Sequence, residues 1–146
     1  MTRGGGAGER AAIRAVDRLH RLWWPLTRGR LEERVLGTPF VLLTTRGRHS
    51  GQERTVTLLA VRDGERLLLV ASQGGNVRHP AWYLNLCAEP AVEVEWRGER
   101  GPWRARVAEG EERAALWPQV VAAYRHYARY QERTDREIPV VVFTRR

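Results

Sequence analysis

Residues 40–72 read FVLLTTRGRHSGQERTVTLLAVRDGERLLLVAS, and this stretch decides the fold. It contains three short apolar runs separated by polar turns, namely 40–45, 55–61 and 66–72. Runs of this length that are rich in aliphatic and β-branched residues are typical of strands. The Asp63-Gly64 pair between the second and third runs is a strong signal for a tight hairpin. The stretch therefore predicts consecutive antiparallel strands.

The strand pattern continues in the rest of the chain. Two further runs, 91–96 and 103–108, are joined by the polar, glycine-containing segment 97–102, which predicts a turn between antiparallel strands. The run IPVVVF at 138–143 is apolar on both faces and predicts a buried strand.

Two helices interrupt these strands. They are predicted at about 80–87, where a proline opens the helix, and from 110 to 124 or beyond. Because no strand-helix-strand repeat is present, a parallel sheet is disfavoured. The predicted fold class is α+β but mainly β, a small antiparallel barrel with flanking helices.

The first 30 residues differ from the rest. A glycine-rich tail is followed by apolar side chains at helical spacing, at Ile13, Val16, Leu19 and Trp23. The expected organisation is a tail and amphipathic helix over 1–30 and one barrel domain over 31–146. Two roles fit the basic helix, namely capping the barrel or resting on an anionic membrane surface.

Composition narrows the class of protein. The chain has 146 residues, one domain's worth, and a formal net charge of +8 with arginine as its only basic residue besides histidine. This charge fits either codon bias or the attraction of anions. Cys87 is the only cysteine, so an internal disulfide and a paired-thiolate metal site are excluded. No secretory signal or membrane-spanning run is present, and a cytoplasmic protein is expected.

The first candidate site is the turn at 44–54, TTRGRHSGQER. Arg46, Arg48 and Arg54 supply guanidinium groups that bind phosphate or carboxylate in a forked geometry, and the Ser50 hydroxyl adds a donor. The turn therefore predicts an anion site. A solvated basic hairpin is the alternative.

The second candidate site is the loop at 72–75, Ser-Gln-Gly-Gly, which closes a strand shortly before a helix. Small residues before a helix N-terminus present backbone N–H groups to an anion or to the edge of a heterocycle. Trp82 and Tyr83 at the start of that helix supply aromatic walls, or alternatively part of the core. The loop therefore predicts a place for a flat ligand.

The third candidate site is a set of tyrosines three residues apart, Tyr124, Tyr127 and Tyr130. On one continuing helix they would lie along a single wall as proton donors or stacking surfaces. The alternative is a packing stripe. No metal site is predicted, because no further cysteine, histidine or carboxylate stands at ligand spacing. A P-loop, a nucleophile elbow and a dinucleotide fingerprint are also missing from the sequence.

The chain resembles the deazaflavin-dependent nitroreductase and quinone reductase family of actinobacteria in three motifs that occur in the same order: LLTTRGRHSGQERTVTLLAVRDGERLLLVASQGG, HPAWYLNL and WPQVVAAYRHYARYQERTDREIPVVVF. The resemblance implies an antiparallel split β-barrel of the FMN-binding type. It also implies an oxidoreductase that uses reduced coenzyme F420 as hydride donor to a quinone, a nitroaromatic or a related small-molecule acceptor. FMN is the alternative cofactor.

The resemblance also implies roles for single residues. Arg48 and Arg54 are expected at the cofactor's phosphate and glutamyl tail, and the loop at 72–75 is expected at the ring. The full implied cofactor-binding set is Arg46, Arg48, His49, Ser50, Gly51, Gln52, Arg54, Ser72, Gln73, Gly74, Gly75, Trp82 and Tyr83. Tyr124, Tyr127 and Tyr130 match tyrosines that line the acceptor pocket in the family, and they are the expected catalytic residues. Our hypothesis is that Tyr130 or Tyr127 donates the proton to the reduced acceptor. His49 and Gln73 depart from lysines that are common in the family, and Arg133 departs from an aromatic found in some members.

Other functions also fit the sequence. A non-catalytic split-barrel module that binds F420, flavin or a lipid is the second hypothesis. Nucleic acid is not expected as a partner, because the basic excess is not interleaved with exposed aromatic residues. A monomer and a homodimer both fit the sequence, and so does peripheral membrane contact through the N-terminal helix.

Overall fold

The computed structural model describes residues 39–146, and in this part of the chain seven strands and three helices form. The strands are β1 Phe40–Arg46, β2 Glu53–Leu59, β3 Val61–Asp63, β4 Arg66–Val70, β5 Ala91–Trp96, β6 Glu99–Val107 and β7 Val140–Arg145. The helices are α1 Ala81–Ala88, α2 Gly110–Ala123 and α3 His126–Glu132. The predictions for residues 1–30, the tail and the amphipathic helix, lie outside the described residues.

All seven strands belong to one antiparallel sheet in the order β2-β1-β5-β6-β7-β4-β3. Only Ala60 separates the end of β2 from the start of β3, so one continuous segment supplies both edges of the sheet. Ala60 is fully buried, and its N–H donates to the carbonyl of Pro39 at 2.8 Å. The sheet therefore curls on itself, and the predicted antiparallel split barrel is confirmed.

The inner face of the sheet forms the main core. Strand side chains alternate between faces, so every second residue points inward. These inward residues include Val41, Leu43, Leu67, Leu69, Val92, Val94, Trp103, Ala105, Val141 and Phe143. Trp82 and Leu86 join the same core. Helix α1 is thus packed against the barrel interior, which fixes the position of its polar residues.

A second core lies on the opposite face of β4 and β7. It contains Leu68, Val70, Val140 and Val142 from the strands, Leu116 and Val120 from α2, and Tyr127 from α3. These two strands are buried on both faces, which explains why their sequences are continuous apolar runs. The buried strand predicted at 138–143 is confirmed, although pairing starts at Val140.

The connection between β5 and β6 is shorter than predicted. The segment 97–102 was expected to be a turn, but only Arg97 and Gly98 form it, with φ of 54° and 80°. Left-handed backbone at both positions suits a two-residue hairpin. Trp96 pairs with Glu99, so Gly101 and Pro102 lie inside β6 rather than in the loop.

The expectation of one continuing helix across the three tyrosines is wrong. Helix α2 ends at Ala123, and Tyr124 has an extended backbone with φ −145° and ψ 98°. Its N–H closes α2 by donating to the carbonyl of Val120 at 3.0 Å. The chain then turns before α3, which lets Tyr127 enter the second core. None of the helices within residues 39–146 is long and apolar enough to cross a bilayer.

Candidate functional site

The turn between β1 and β2, called the arginine turn below, is a compact loop closed by hydrogen bonds within its own backbone. The Gly47 N–H donates to the carbonyl of Gln52 at 2.7 Å, and the Gly51 N–H donates to the carbonyl of Gly47 at 2.8 Å. The Ser50 hydroxyl accepts the Gln52 N–H at 3.2 Å. A Cβ on Gly47 would lie 2.7 Å from Ser50 Oγ and 3.2 Å from the Gln52 carbonyl oxygen, so a larger residue here would displace the Ser50 side chain. The side chains of Arg48 and Ser50 remain exposed on this turn.

Asn85 of α1 anchors the turn from below. Its side chain is only 4% exposed, and Oδ1 accepts both the Arg48 N–H at 3.2 Å and Arg48 Nη1 at 3.1 Å. Its Nδ2 donates to Thr45 Oγ1 at 3.2 Å. One buried amide thereby holds the end of β1 at Thr45 and the guanidinium of Arg48 in a defined position.

A cavity of about 450 Å³ lies between this turn and the start of α1. Its described lining residues are Thr45, Gly47, Arg48, His49, Ser50, Arg54, Thr55, Val56, Ala81, Trp82 and Asn85. Two guanidinium groups face it, and no carboxylate occurs among these residues. Trp82 supplies an aromatic wall. The volume is within the usual range for small-molecule sites, and the charge suits an anion.

Five of the predicted cofactor-binding residues line this cavity: Arg48, His49, Ser50, Arg54 and Trp82. Gly51 and Gln52 shape the turn without lining the cavity. Arg46 does not line the cavity. Its guanidinium donates to the Gly51 carbonyl at 3.0 Å and pairs with the Glu89 carboxylate at 3.5 Å. Sequence reasoning missed Asn85, whose only signal is a polar residue within the apolar motif AWYLNL.

The loop at 72–75 has an unusual backbone. Gln73, Gly74 and Gly75 all have positive φ, at 45°, 65° and 81°. A Cβ on Gly75 would lie 2.6 Å from the carbonyl oxygen of Tyr130, so the loop backbone packs directly against α3. Ser72 is buried at the base of the loop. The loop and the tyrosine helix are therefore in close contact, although neither lines the cavity at the arginine turn.

Tyr83 does not line the cavity and packs instead on His79, which follows the loop. Its ring packs on His79 with centroids 4.6 Å apart, and it meets Trp82 edge-on at 6.5 Å. Burial, together with the neighbouring Cys87 thiol, raises the pKa of Tyr83 to about 12. The phenol is therefore neutral at physiological pH.

The three tyrosines meet despite the helix break. The hydroxyls of Tyr124 and Tyr130 are 3.4 Å apart, and the rings of Tyr124 and Tyr127 pack edge-on with centroids 4.9 Å apart. Burial, followed by the hydrogen bond to Tyr130, raises the pKa of Tyr124 to about 12. Burial also raises the pKa of Tyr127, which is only 5% exposed. Tyr127 is a core residue, whereas Tyr124 and Tyr130 are partly exposed.

The family profile described as F420H2-dependent quinone reductase matches residues 16–145. The chain belongs to this family. An F420H2-dependent quinone reductase of Mycobacterium tuberculosis is 42% identical over 134 residues, which cover 88% of this chain and 89% of that protein. The family expected from the sequence motifs is therefore confirmed, and with it the expectation of an F420-dependent oxidoreductase.

Two solved structures are similar to this member of the quinone reductase family. An F420H2-dependent reductase superposes with a TM-score of 0.66 at 45% identity, covering 72% of this chain and 93% of that one. A chain described as a domain-swapped dimer superposes with a TM-score of 0.68 at 38% identity, covering 92% of this chain and 98% of that one. Both similarities agree with the split barrel seen here.

The family implies F420, whose tail carries a phosphate and glutamyl carboxylates, and the donors at the cavity fit such a group. Arg48 is held in place by Asn85, Arg54 faces the same cavity, and Ser50 adds a hydroxyl. Guanidinium groups match phosphate and carboxylate geometry better than any other side chain. Within residues 39–146, no three His, Cys, Asp or Glu side chains are grouped so that they could hold a metal ion.

Proposed function

We propose that this chain transfers a hydride from reduced F420 to a quinone, with the arginine turn holding the tail of the cofactor. The observation that carries the proposal is the cavity of about 450 Å³ that Arg48 and Arg54 face without a carboxylate among its described lining residues. Membership of the quinone reductase family supports the cofactor and the class of acceptor.

Tail binding depends on charge and on preorganisation. Each charge-assisted hydrogen bond contributes roughly 1.5–3 kcal/mol. Asn85 already orders Arg48 before any ligand arrives, so less side-chain entropy is lost on binding. Arg54, Ser50 and the turn backbone would complete the contacts to the phosphate and carboxylates.

The loop at 72–75 would border the ring of the cofactor. Bound reduced F420 supplies the hydride, and the protein's part is to orient the reactants and limit water access. The positive φ values of Gln73, Gly74 and Gly75 turn this loop sharply, and a Cβ on Gly74 would meet no atom within 4 Å, so the backbone is open at that residue. The flat ring could therefore approach the backbone closely.

Tyr130 is the proposed proton donor to the reduced acceptor. A quinone that has gained a hydride needs a proton to become a quinol. Tyr130 is partly exposed, and its hydroxyl lies 3.4 Å from that of Tyr124, whose raised pKa of about 12 keeps it protonated at neutral pH. Tyr127 would support the pair from the core rather than donate.

The finer expectations about partners belong to the same proposal. Nitroaromatics would be alternative acceptors. The N-terminal helix, outside the described residues, would contact the inner face of the membrane as part of a cytoplasmic protein. A homodimer is favoured over a monomer because a similar solved chain is described as a domain-swapped dimer.

The test is a titration of the full-length protein with F420 and, in parallel, FMN. The expected result is tighter binding of F420, and oxidation of reduced F420 when menadione is added. Arg48→Gln and Arg54→Gln should each weaken F420 binding about tenfold, the equivalent of about 1.4 kcal/mol. They should also weaken its salt dependence, because a screened charge pair is lost.

Arg129→Gln is the matched control, since Arg129 is exposed on α3 and not part of the arginine turn. It should bind F420 like the wild type. The proposal fails if the wild type does not oxidise reduced F420 above background, or if both turn variants bind F420 with wild-type affinity.

A further inference from the structure

Arg136, four residues beyond the end of α3, reaches across to the loop that follows β4. Its guanidinium donates to the carbonyls of Ala71 at 3.1 Å, Ser72 at 2.9 Å and Asn76 at 2.9 Å. It also contacts His79 Nδ1 at 3.2 Å. One side chain thus binds four groups distributed along residues 71–79, on both sides of the turn at 73–75.

The backbone conformation of this loop depends on contacts from outside the turn. Three consecutive residues have left-handed backbone, and one of them, Gln73, is not glycine. For a non-glycine residue this conformation costs about 1–3 kcal/mol and persists only where the surroundings hold it. The turn's own hydrogen bonds are two, from the Gly75 N–H to Ser72 at 2.9 Å and from the Asn76 N–H to Gln73 at 3.1 Å. The contacts to Arg136 provide the additional constraint.

Arg136 itself is held by a second set of contacts. Gln131 Nε2 donates to the Arg136 carbonyl at 2.7 Å, and Gln131 Oε1 accepts the Ile138 N–H at 2.9 Å. Arg113 Nη2 donates to the Ile138 carbonyl at 2.9 Å. The backbone around Arg136 is therefore fixed to α2 and α3, and through it the loop is fixed to the same helices.

The same loop touches the proposed proton donor. Gly75 packs so closely on the Tyr130 carbonyl that a Cβ would lie 2.6 Å away, and Arg133 Nη1 donates to the Gly74 carbonyl at 3.3 Å. The position of the loop relative to Tyr130 therefore depends on contacts that hold the loop against α3.

The contacts between Arg136 and residues 71–79 are called the clamp below, and His79 is a reporter of them because it is one of the groups that Arg136 contacts. Because a guanidinium only donates, His79 Nδ1 must be the acceptor, and the neutral ring carries its proton on Nε2. Burial, and then the charge of Arg136, lower the pKa of His79. The groups that face the ring are Arg136 and the Tyr83 phenol ring. Loss of the guanidinium should therefore be visible in the titration of His79.

We propose that Arg136 is a positioning residue that fixes the loop at 71–79, and thereby the cofactor ring, relative to Tyr130. It acts through the loop and contacts no reacting atom. The inference rests on the proposed function, because the loop matters for hydride transfer only if the ring lies against it.

The first test uses the full-length protein without cofactor. In Arg136→Gln, the amides of Gly75 and Asn76 should exchange with solvent at least about tenfold faster than in the wild type, since loop opening becomes easier. The pKa of His79, followed by NMR, should rise. Arg129→Gln should change neither. Unchanged amide exchange and an unchanged His79 titration in Arg136→Gln would overturn the clamp without reference to F420.

The second test separates positioning from folding. At saturating reduced F420 and menadione, kcat of Arg136→Gln should fall about 10- to 100-fold, because a misplacement of about 1 Å is enough for such a loss. The dissociation constant for F420 should change less than about threefold, since the tail is held at the arginine turn, where affinity arises. A purely structural role would lower the melting temperature while kcat per cofactor-binding site stayed constant.

Two further variants complete the design. Arg136→Lys keeps the charge but cannot reach four acceptors, so it should restore the low His79 pKa better than it restores amide protection. Arg136→Ala should regain part of its kcat when guanidinium is added well below denaturing concentrations. If the wild type turns over and Arg136→Gln keeps its kcat, the inference fails alone; if the wild type does not turn over, the proposed function fails and the cofactor-free test still decides the clamp.

Discussion

Replacing Asn85 with alanine tests whether this buried amide orders the arginine turn. The variant removes three hydrogen bonds, two from Arg48 to Oδ1 at 3.2 and 3.1 Å and one from Nδ2 to Thr45 at 3.2 Å. It also leaves the Thr45 hydroxyl, on a side chain that is 2% exposed, without this partner. Both the stability of the domain and the affinity for F420 should fall.

The size of both effects follows from these contacts. A neutral hydrogen bond contributes roughly 0.5–1.5 kcal/mol and one to a charged group roughly 1.5–3 kcal/mol. Water will partly replace the partner of the exposed Arg48, so a net loss of about 3 kcal/mol is expected. For a domain of this size that corresponds to about 6–12 °C in Tm. Ordering a freed Arg48 again on binding costs about 0.5–1.5 kcal/mol, or a roughly 2- to 13-fold larger Kd.

The assay is thermal unfolding combined with an F420 titration. Asn76→Ala is the control for stability, because Asn76 is exposed and its side chain accepts one local hydrogen bond, from the Arg78 N–H. Asn85→Asp keeps the acceptors for Arg48 but pairs it with a carboxylate. It should therefore lose less stability than Asn85→Ala. It should bind F420 more weakly than the wild type does, because the carboxylate neutralises Arg48. The reasoning is refuted if Asn85→Ala keeps both the wild-type Tm and the wild-type Kd.

Three further predictions concern the loop and the tyrosines. Gly74→Ala should cost about 1 kcal/mol for its left-handed backbone, whereas Gly75→Ala, whose Cβ meets the Tyr130 carbonyl at 2.6 Å, should cost at least about 2 kcal/mol; equal losses in urea unfolding would contradict the packing. Tyr130→Phe should lower kcat with menadione about 100-fold, and Tyr127→Phe only slightly; the reverse order in steady-state assays would reassign the proton donor. The pKa of Tyr124 is raised from 10.0 to about 12, so the folded state retains this proton. The corresponding stability should be complete below pH 10 and decline as the pH rises toward 12, and Tyr124→Phe should flatten that decline in urea unfolding midpoints.

Features that depend on local sequence were predictable. The strands within 40–72 follow from apolar runs and the Asp63-Gly64 turn, and β3 and β4 pair as that turn requires. The expectation of an anion site came from the arginines of the turn, and Arg48 and Arg54 do line one cavity. The order of three motifs was enough to identify the family.

Features that depend on distant contacts were not predictable. Gly101 and Pro102 look like turn residues, but pairing with β5 draws them into β6. Tyr124 ends α2 without any glycine or proline as a signal, so one helix across the three tyrosines was expected. Asn85 could not be recognised as the anchor of Arg48, because its partner is 37 residues away in the sequence.

The most direct measurement is a structure of the protein solved with F420 bound. We expect the guanidinium groups of Arg48 and Arg54 within hydrogen-bonding distance of the phosphate or glutamyl oxygens, and the ring against the loop at 72–75. A tail that lies elsewhere, with both arginines directed into solvent, would contradict the central claim.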